Sequence, residues 1–375
     1  MTIDIEKTIS LMIEAFLARY GPEVDLIIQY GSLVKGNVHE ASDIDISWVP
    51  VREGRWESIT IEVQGVLVDL YAIPWSRLRE MAEFENYNCT ILDRHRILHS
   101  RDDAARERIS SLLERYRALQ SPEARTEMLE KSFRLFQRAA YPSYLIHRAA
   151  ARGEVMDCVA SSQELSDIMS HCLMTMNQRS IDTRKDAEIL ALPKLPADFA
   201  GLRGRLACSR DCSEIMRTAD EIMEATRSLL LSEQSGVCRE EPSFAAAAGA
   251  NNFPETANGL RHAAREAGRR NVTGLNRDLC GMLREIRNNI GRGISGRWFH
   301  EFNALSELTG DIPGMDLPGL SNAMLRLDWE ALEKRLLDMV DDMAAIYREK
   351  RTAMNSFGDL SELEAWLKKG WELRG

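Results

Sequence analysis

The sequence predicts an α+β protein, with a small mixed sheet and its helices followed by all-α helical bundles. Between residues 24 and 73, short runs rich in β-forming residues alternate with turn residues. From about residue 104, apolar residues instead recur at the three- and four-residue spacing of amphipathic helices. The length of 375 residues exceeds what one hydrophobic core usually serves, so we expect several domains.

The sheet region begins with a predicted helix and continues as four predicted strands. Residues 4–20 place Ile9, Ile13 and Phe16 on one helical face, and Gly21-Pro22 ends the helix. Alternating or β-rich segments follow, and two of them meet across Gln64-Gly65 as a hairpin. The predicted strands are Val24–Tyr30, Asp43–Val49, Ile59–Val63 and Val66–Ile73.

The remaining chain is predicted to be helical, with one interruption. Residues 1–103 are expected to form the sheet domain and residues 104–235 a helical bundle. Residues 236–258 lack sustained amphipathic spacing and are interpreted as a linker or mobile loop. Residues 259–375 contain further helical periodicity, with segments near 275–289, 298–308 and 332–347, and are expected to form an additional helical region.

The charge and hydropathy of the chain bear on its partners. A formal net charge of −10 argues against an extended nucleic-acid surface and favours, weakly, cationic small molecules. No run approaches the ~20 apolar residues of a membrane span, and residues 1–20 do not read as a signal peptide. We therefore expect a cytoplasmic protein without a membrane partner. Apolar helical stripes also make a homodimer compatible with the sequence.

One group of residues in the sheet region has the side-chain types of a catalytic site. Gly31-Ser32 follows the first predicted strand, Asp43 and Asp45 flank Ile44 in the second, and Asp69 lies between apolar residues of a later strand. Alternate strand positions share a face, so Asp43 and Asp45 are expected to project together. Carboxylate oxygens suit Mg²⁺, and a glycine followed by a serine at a helix start suits phosphate.

These residues resemble the signature of the polymerase-β-like nucleotidyltransferase superfamily. The resemblance implies that residues 1–103 are the catalytic domain, that Gly31 and Ser32 contact the nucleotide phosphates, and that Asp43, Asp45 and Asp69 are catalytic ligands of two Mg²⁺ ions. ATP or another nucleoside triphosphate is then the substrate, and the metals stabilise charge during in-line displacement.

The bundle resembles, more weakly, the region behind the catalytic domain of aminoglycoside-type nucleotidyltransferases. The local similarities are Met176 to Arg179, Lys185 and Leu192 to Pro196. The resemblance implies an acceptor site between sheet and bundle, with Lys185 reaching the triphosphate.

Some roles stay open at the sequence level. Glu57 and Glu62 compete with Asp69 as the third carboxylate, but Asp69 is preferred because it lies inside an apolar strand. No general base is located, since Glu127 and Glu130 on a bundle helix are more commonly exposed surface residues. The scattered histidines His147, His171 and His300 are likewise not assigned.

The leading functional expectation is transfer of a nucleoside monophosphate, AMP from ATP first, to a hydroxyl or similar group of a small molecule. An aminoglycoside-like antibiotic is one such acceptor, which would make antibiotic resistance the biological role. Alternatives are nucleotidyl transfer to a protein or RNA, as in AMPylating antitoxins, and a non-catalytic scaffold that senses nucleotide.

Overall fold

The structure, a computed structural model, describes residues 4–36, 43–54, 58–86, 89–180, 186–237, 244–295, 312 and 314–368. The chain divides into two compact units, Met1–Glu233 and Gln234–Gly375. The first unit combines a mixed five-stranded sheet with helices, and the second unit is helical in its described part. The α+β class predicted from the sequence is the observed one.

The sheet of the first unit has the strand order β3-β4-β2-β1-β5. Strands β2 and β4 are parallel, whereas β1 pairs antiparallel with β2 and β5, and β3 pairs antiparallel with β4. The strands are β1 (Val24–Tyr30), β2 (Ile44–Pro50), β3 (Ile59–Val63), β4 (Val66–Ala72) and β5 (Arg96–Ser100). The four predicted strands are present, and β5 is an edge strand that the sequence analysis did not predict.

One face of the sheet is apolar because alternate strand residues are buried against the first helix, α1 (Ile5–Tyr20). Ile9 and Phe16 of α1 join Ile44, Ile46 and Trp48 of β2 in one core. The Phe16 and Trp48 rings meet edge to face, with centroids 5.1 Å apart. This packing fixes the register, so the intervening β2 residues are directed to the opposite face.

Helices follow the strands through the rest of the first unit. Buried Phe133, Leu165 and Met169 lie on the predicted apolar stripes of the bundle. The helices are α2 (Ser32–Lys35), α3 (Trp75–Ala82), α4 (Thr90–Asp93), α5 (Asp103–Leu119), α6 (Arg125–Arg138), α7 (Ala140–Arg152), α8 (Val155–Met176), α9 (Asp186–Leu190), α10 (Phe199–Cys208) and α11 (Cys212–Val237).

The second unit is built around a long helix that the sequence analysis interpreted as a linker. Residues 244–258 lie in α12 (Phe244–Gly268), where Phe244, Phe253 and Leu260 are buried in the core of this unit. Alanine-rich segments favour helix even without a charged face, and the loop interpretation missed this. A non-helical backbone at Gly249 (φ 56°, ψ 152°) marks a kink that breaks the amphipathic period.

The other described helices of the second unit follow α12. A π-helical turn (Arg287–Gly291) joins α13 to α14. The predicted segment 298–308 lies outside the described residues. The helices are α13 (Val272–Ile286), α14 (Arg292–Ser295), α15 (Leu317–Arg326), α16 (Trp329–Glu349) and α17 (Leu360–Lys368). In the described part of the chain, no helix combines the length and apolarity that a membrane span needs.

Candidate active site

Two of the predicted carboxylates lie side by side on neighbouring parallel strands. Asp45 of β2 is the register partner of Asp69 of β4. Their apolar neighbours Ile44, Ile46, Val68 and Leu70 are buried on the α1 side, so both carboxylates are directed to the opposite face. Asp43, the third predicted carboxylate, is half-buried and immediately precedes β2.

The backbone at Gly31 lies against the Asp45 carboxylate. Gly31 has φ 84° and ψ −160°, a conformation essentially restricted to glycine. A Cβ atom added at Gly31 would lie 2.0 Å from Asp45 Oδ2. The residue after β1 must therefore be glycine both for its backbone conformation and for the space that Asp45 occupies.

Ser32 is the first residue of α2, a helix of only four residues that ends at Gly36. Its Oγ is buried and has no hydrogen-bond partner in the described structure. A buried hydroxyl without a partner costs stability unless a ligand or water supplies one. Because α2 has only four residues, its helix dipole is weak.

Tyr30, the last residue of β1, lies beside Asp45, its register partner in the antiparallel pair of β1 and β2. Burial raises the pKa of Tyr30 to about 12, and the negative charges of Asp45 and Asp69 act in the same direction. The phenol therefore stays protonated at neutral pH.

Asp69 is held by a hydrogen bond from the neighbouring edge strand. Thr60 Oγ1 donates to Asp69 Oδ1 at 2.5 Å, and the two residues are register partners in the β3–β4 hairpin. Glu62, a competing third carboxylate, pairs with Leu67 at the far end of this hairpin and is exposed. Glu57 lies outside the described residues. The register places Asp69 and not Glu62 beside Asp45.

The donor set fits magnesium in part. Mg²⁺ is commonly held by one or two carboxylates together with substrate phosphates and water, and Asp45 with Asp69 provides such a pair. Among the described residues, no group of three acidic, histidine or cysteine side chains is close enough to hold a metal ion. Asp43 immediately precedes the paired part of β2, and its role as a third ligand stays a prediction.

The sequence analysis missed two residues on this face. Tyr71 lies two residues after Asp69 on β4, and its hydroxyl receives a hydrogen bond from Arg77 Nη1 at 2.6 Å. The Arg77 guanidinium also lies over the Tyr71 ring, with Cζ 5.7 Å from the centroid. The two-residue period of β4 could have indicated Tyr71, but Arg77 is on α3 and no sequence pattern connects it to the site.

Lys185, the predicted triphosphate contact, lies outside the described residues. The bundle residues near it that resemble aminoglycoside-type enzymes have structural partners instead. Lys194 Nζ donates to Glu233 Oε2 at 2.5 Å, and the Asn177 amide bonds the Lys194 backbone. These contacts give Asn177 and Lys194 a structural role in the bundle.

Of the side chains considered as general bases, Glu130 is exposed on α6, and the others that are described have structural partners. Glu127 pairs with Arg115 and Lys131, which also bind Glu83. The hydrogen bond from Arg115 lowers the pKa of Glu83 to about 2. His147 pairs with Asp220 at 2.9 Å, His171 is buried in the bundle, and His300 lies outside the described residues.

The solved structures that are similar to this chain include one described as nucleotidyltransferase-like. No protein-family model and no curated protein sequence matches the chain. A nucleotidyltransferase-like protein from Exiguobacterium sibiricum 255-15 is similar at 14% identity with a TM-score of 0.36, over 61% of this chain and 80% of that chain. A similarity at this level supports neither a family assignment nor an activity, so the functional argument rests on the site residues.

Proposed function

We propose that this chain is a magnesium-dependent nucleotidyltransferase that transfers a nucleoside monophosphate, AMP from ATP first, to a hydroxyl group of a small molecule. The observation that carries the proposal is the register pairing of Asp45 with Asp69 on one sheet face, with the Gly31 backbone against Asp45. Two paired carboxylates beside a glycine-serine turn suit a metal-bound triphosphate.

Each residue has a task in this reaction. The buried Ser32 hydroxyl donates to a phosphate oxygen, and Gly31 admits the triphosphate next to the carboxylates. Asp45 and Asp69 would hold Mg²⁺, which supplies charge stabilisation at the phosphates when bound. Thr60 fixes the Asp69 carboxylate and thereby limits the reorganisation needed during the reaction.

The reaction balances as a substitution at the α-phosphorus. The acceptor oxygen forms a bond to this phosphorus, the bond to the bridging oxygen of the β-phosphate breaks, and pyrophosphate leaves with the electron pair. The hydroxyl proton is released to water. Attacking and leaving oxygens must be in line, so acceptor and pyrophosphate lie on opposite sides of the reacting phosphorus.

The test is mass spectrometry of a metabolite extract incubated with the protein, Mg²⁺ and an equal mixture of four ribonucleoside triphosphates. Asp45→Asn is the comparison, since it keeps the side-chain shape and removes the charge. We expect a nucleotidylated small molecule with the wild type alone. Label found only on protein or RNA would favour a macromolecular acceptor, and no product with any extract would contradict the proposal.

A further inference from the structure

Arg77 is a cation on the active-site face, and no acidic side chain of the described residues pairs with it. Its side chain is half-buried, and among the described residues it forms no ion pair. Its Nε is buried and makes no hydrogen bond in that part of the chain, while Nη1 is committed to Tyr71. A partly buried guanidinium with an unused donor is costly unless an anion completes it.

The Tyr71 contact fixes where this cation lies. Tyr71 follows Asp69 by two residues on β4, so the two side chains share a face and their Cα atoms are roughly 7 Å apart. Tyr71 is the register partner of Ser47 on β2, two residues after Asp45, so Tyr71, Asp45 and Asp69 share one face of the sheet. Arg77 is therefore attached to the same site from the β4 side.

The phosphate-binding residues are on the other side of the carboxylates. In the strand order, β2 lies between β4 and β1, and Gly31 and Ser32 follow β1. If the triphosphate binds at Ser32, the leaving pyrophosphate is on the β1 side. In-line displacement then brings the acceptor from the β4 side, where Tyr71 and Arg77 lie.

We propose that Arg77, positioned by Tyr71, binds an acidic group of the acceptor, so that the acceptor is a hydroxyl compound carrying a carboxylate or a phosphate. This inference rests on the proposed function for the direction of approach. A guanidinium fork matches both oxyanions, which therefore share one recognition chemistry. The acidic overall charge of the chain had favoured a cationic acceptor, and the local cation at Arg77 argues for the opposite sign.

The experiment measures binding of inorganic phosphate by calorimetry, with Mg²⁺ and a saturating non-hydrolysable ATP analogue present. We expect the wild type to bind phosphate and the analogue together, and Arg77→Gln to weaken phosphate binding by about 10- to 100-fold while analogue affinity is unchanged. Arg79→Gln, the same change at an exposed position of the same helix, is the matched control. Arg77→Lys is expected to give an intermediate loss because the fork is absent but the charge remains.

The outcomes separate this inference from the proposed function. Displacement of phosphate by the analogue would assign Arg77 to the triphosphate and overturn the inference, as would wild-type phosphate affinity in Arg77→Gln or no phosphate binding by the wild type. Failure of the wild type to bind the analogue, with Arg77-dependent phosphate binding intact, would instead remove the nucleotidyltransferase proposal. Tyr71→Phe, which removes only the hydroxyl, should reproduce part of the Arg77→Gln loss and keep the fold.

Discussion

Replacement of Gly31 by alanine tests the geometry of the candidate active site most directly. A Cβ at this position would lie 2.0 Å from Asp45 Oδ2, whereas real Cβ contacts are essentially never below 3.0 Å. The Asp45 carboxylate must therefore move by at least about 1 Å. A displacement of this size at a reacting centre lowers rates by about 100-fold.

The same substitution also strains the backbone. Gly31 occupies φ 84° and ψ −160°, where a residue with a side chain costs about 1–3 kcal/mol. Urea unfolding should show a loss of stability in this range. Nucleotidyl transfer to the acceptor found in the extract should fall by about 100-fold. The unfolding curve should show that the variant is still folded at the assay temperature.

Gly36→Ala is the matched control on the other end of α2. Gly36 also has positive φ, 78°, but an added Cβ meets no atom within 4 Å. We expect it to cost about 1 kcal/mol of stability and to leave the transfer rate near that of the wild type. Equal activity losses in the two variants, or wild-type activity in Gly31→Ala, would refute the assignment of Asp45 as a metal-binding carboxylate of the active site.

Three further predictions follow from the structure. Asp69→Asn should abolish transfer, whereas Glu62→Gln should change the transfer rate less than about threefold, because only Asp69 is the register partner of Asp45. Measured transfer rates of the two variants test which carboxylate belongs to the site. Thr60→Ala should lower the transfer rate by about tenfold or less, since it frees but does not remove the Asp69 carboxylate; a larger loss would mean that Thr60 contacts substrate. Burial lowers the pKa of His171 from its ordinary 6.5 to about 4, and its Nε2 lies 3.0 Å from the Phe84 carbonyl oxygen. Between pH 6.5 and 4 the unfolded chain protonates this histidine and the folded chain does not, so stability should fall by roughly 3 kcal/mol as pH falls through this window. His171→Gln should flatten that part of the stability curve, measured by urea unfolding at several pH values, and an unchanged slope would contradict the buried neutral imidazole.

The sequence by itself determined the order of elements in the sheet region and the residue types of the site. Runs of β-forming residues identified β1 and β2, which are buried almost throughout, and alternation identified β4; the exposed strand β3 was recognisable from the hairpin turn at Gln64-Gly65. The same alternation separated Asp45 and Asp69 from the apolar residues beside them. Gly31 and Ser32 were recognisable because they precede Asp43, Asp45 and Asp69 in the order that resembles the nucleotidyltransferase signature.

Local sequence was insufficient where stability comes from distant partners. Strand β5 has a short and partly exposed pattern, and it is a strand because β1 offers an unpaired edge. The helix at residues 244–258 lacks a clear amphipathic period, yet Phe244 and Phe253 pack on Tyr347, about a hundred residues away. Tertiary burial overrides weak local signals in both places.

Only the tertiary structure decided which polar groups share the active-site face. Asp45 and Asp69 are 24 positions apart, and parallel pairing of β2 with β4 makes them neighbours. Arg77 enters the site through a hydrogen bond to Tyr71 from a helix that carries no motif. Strand register and side-chain direction are set by the whole sheet and its core, so no local pattern in the chain specifies these contacts.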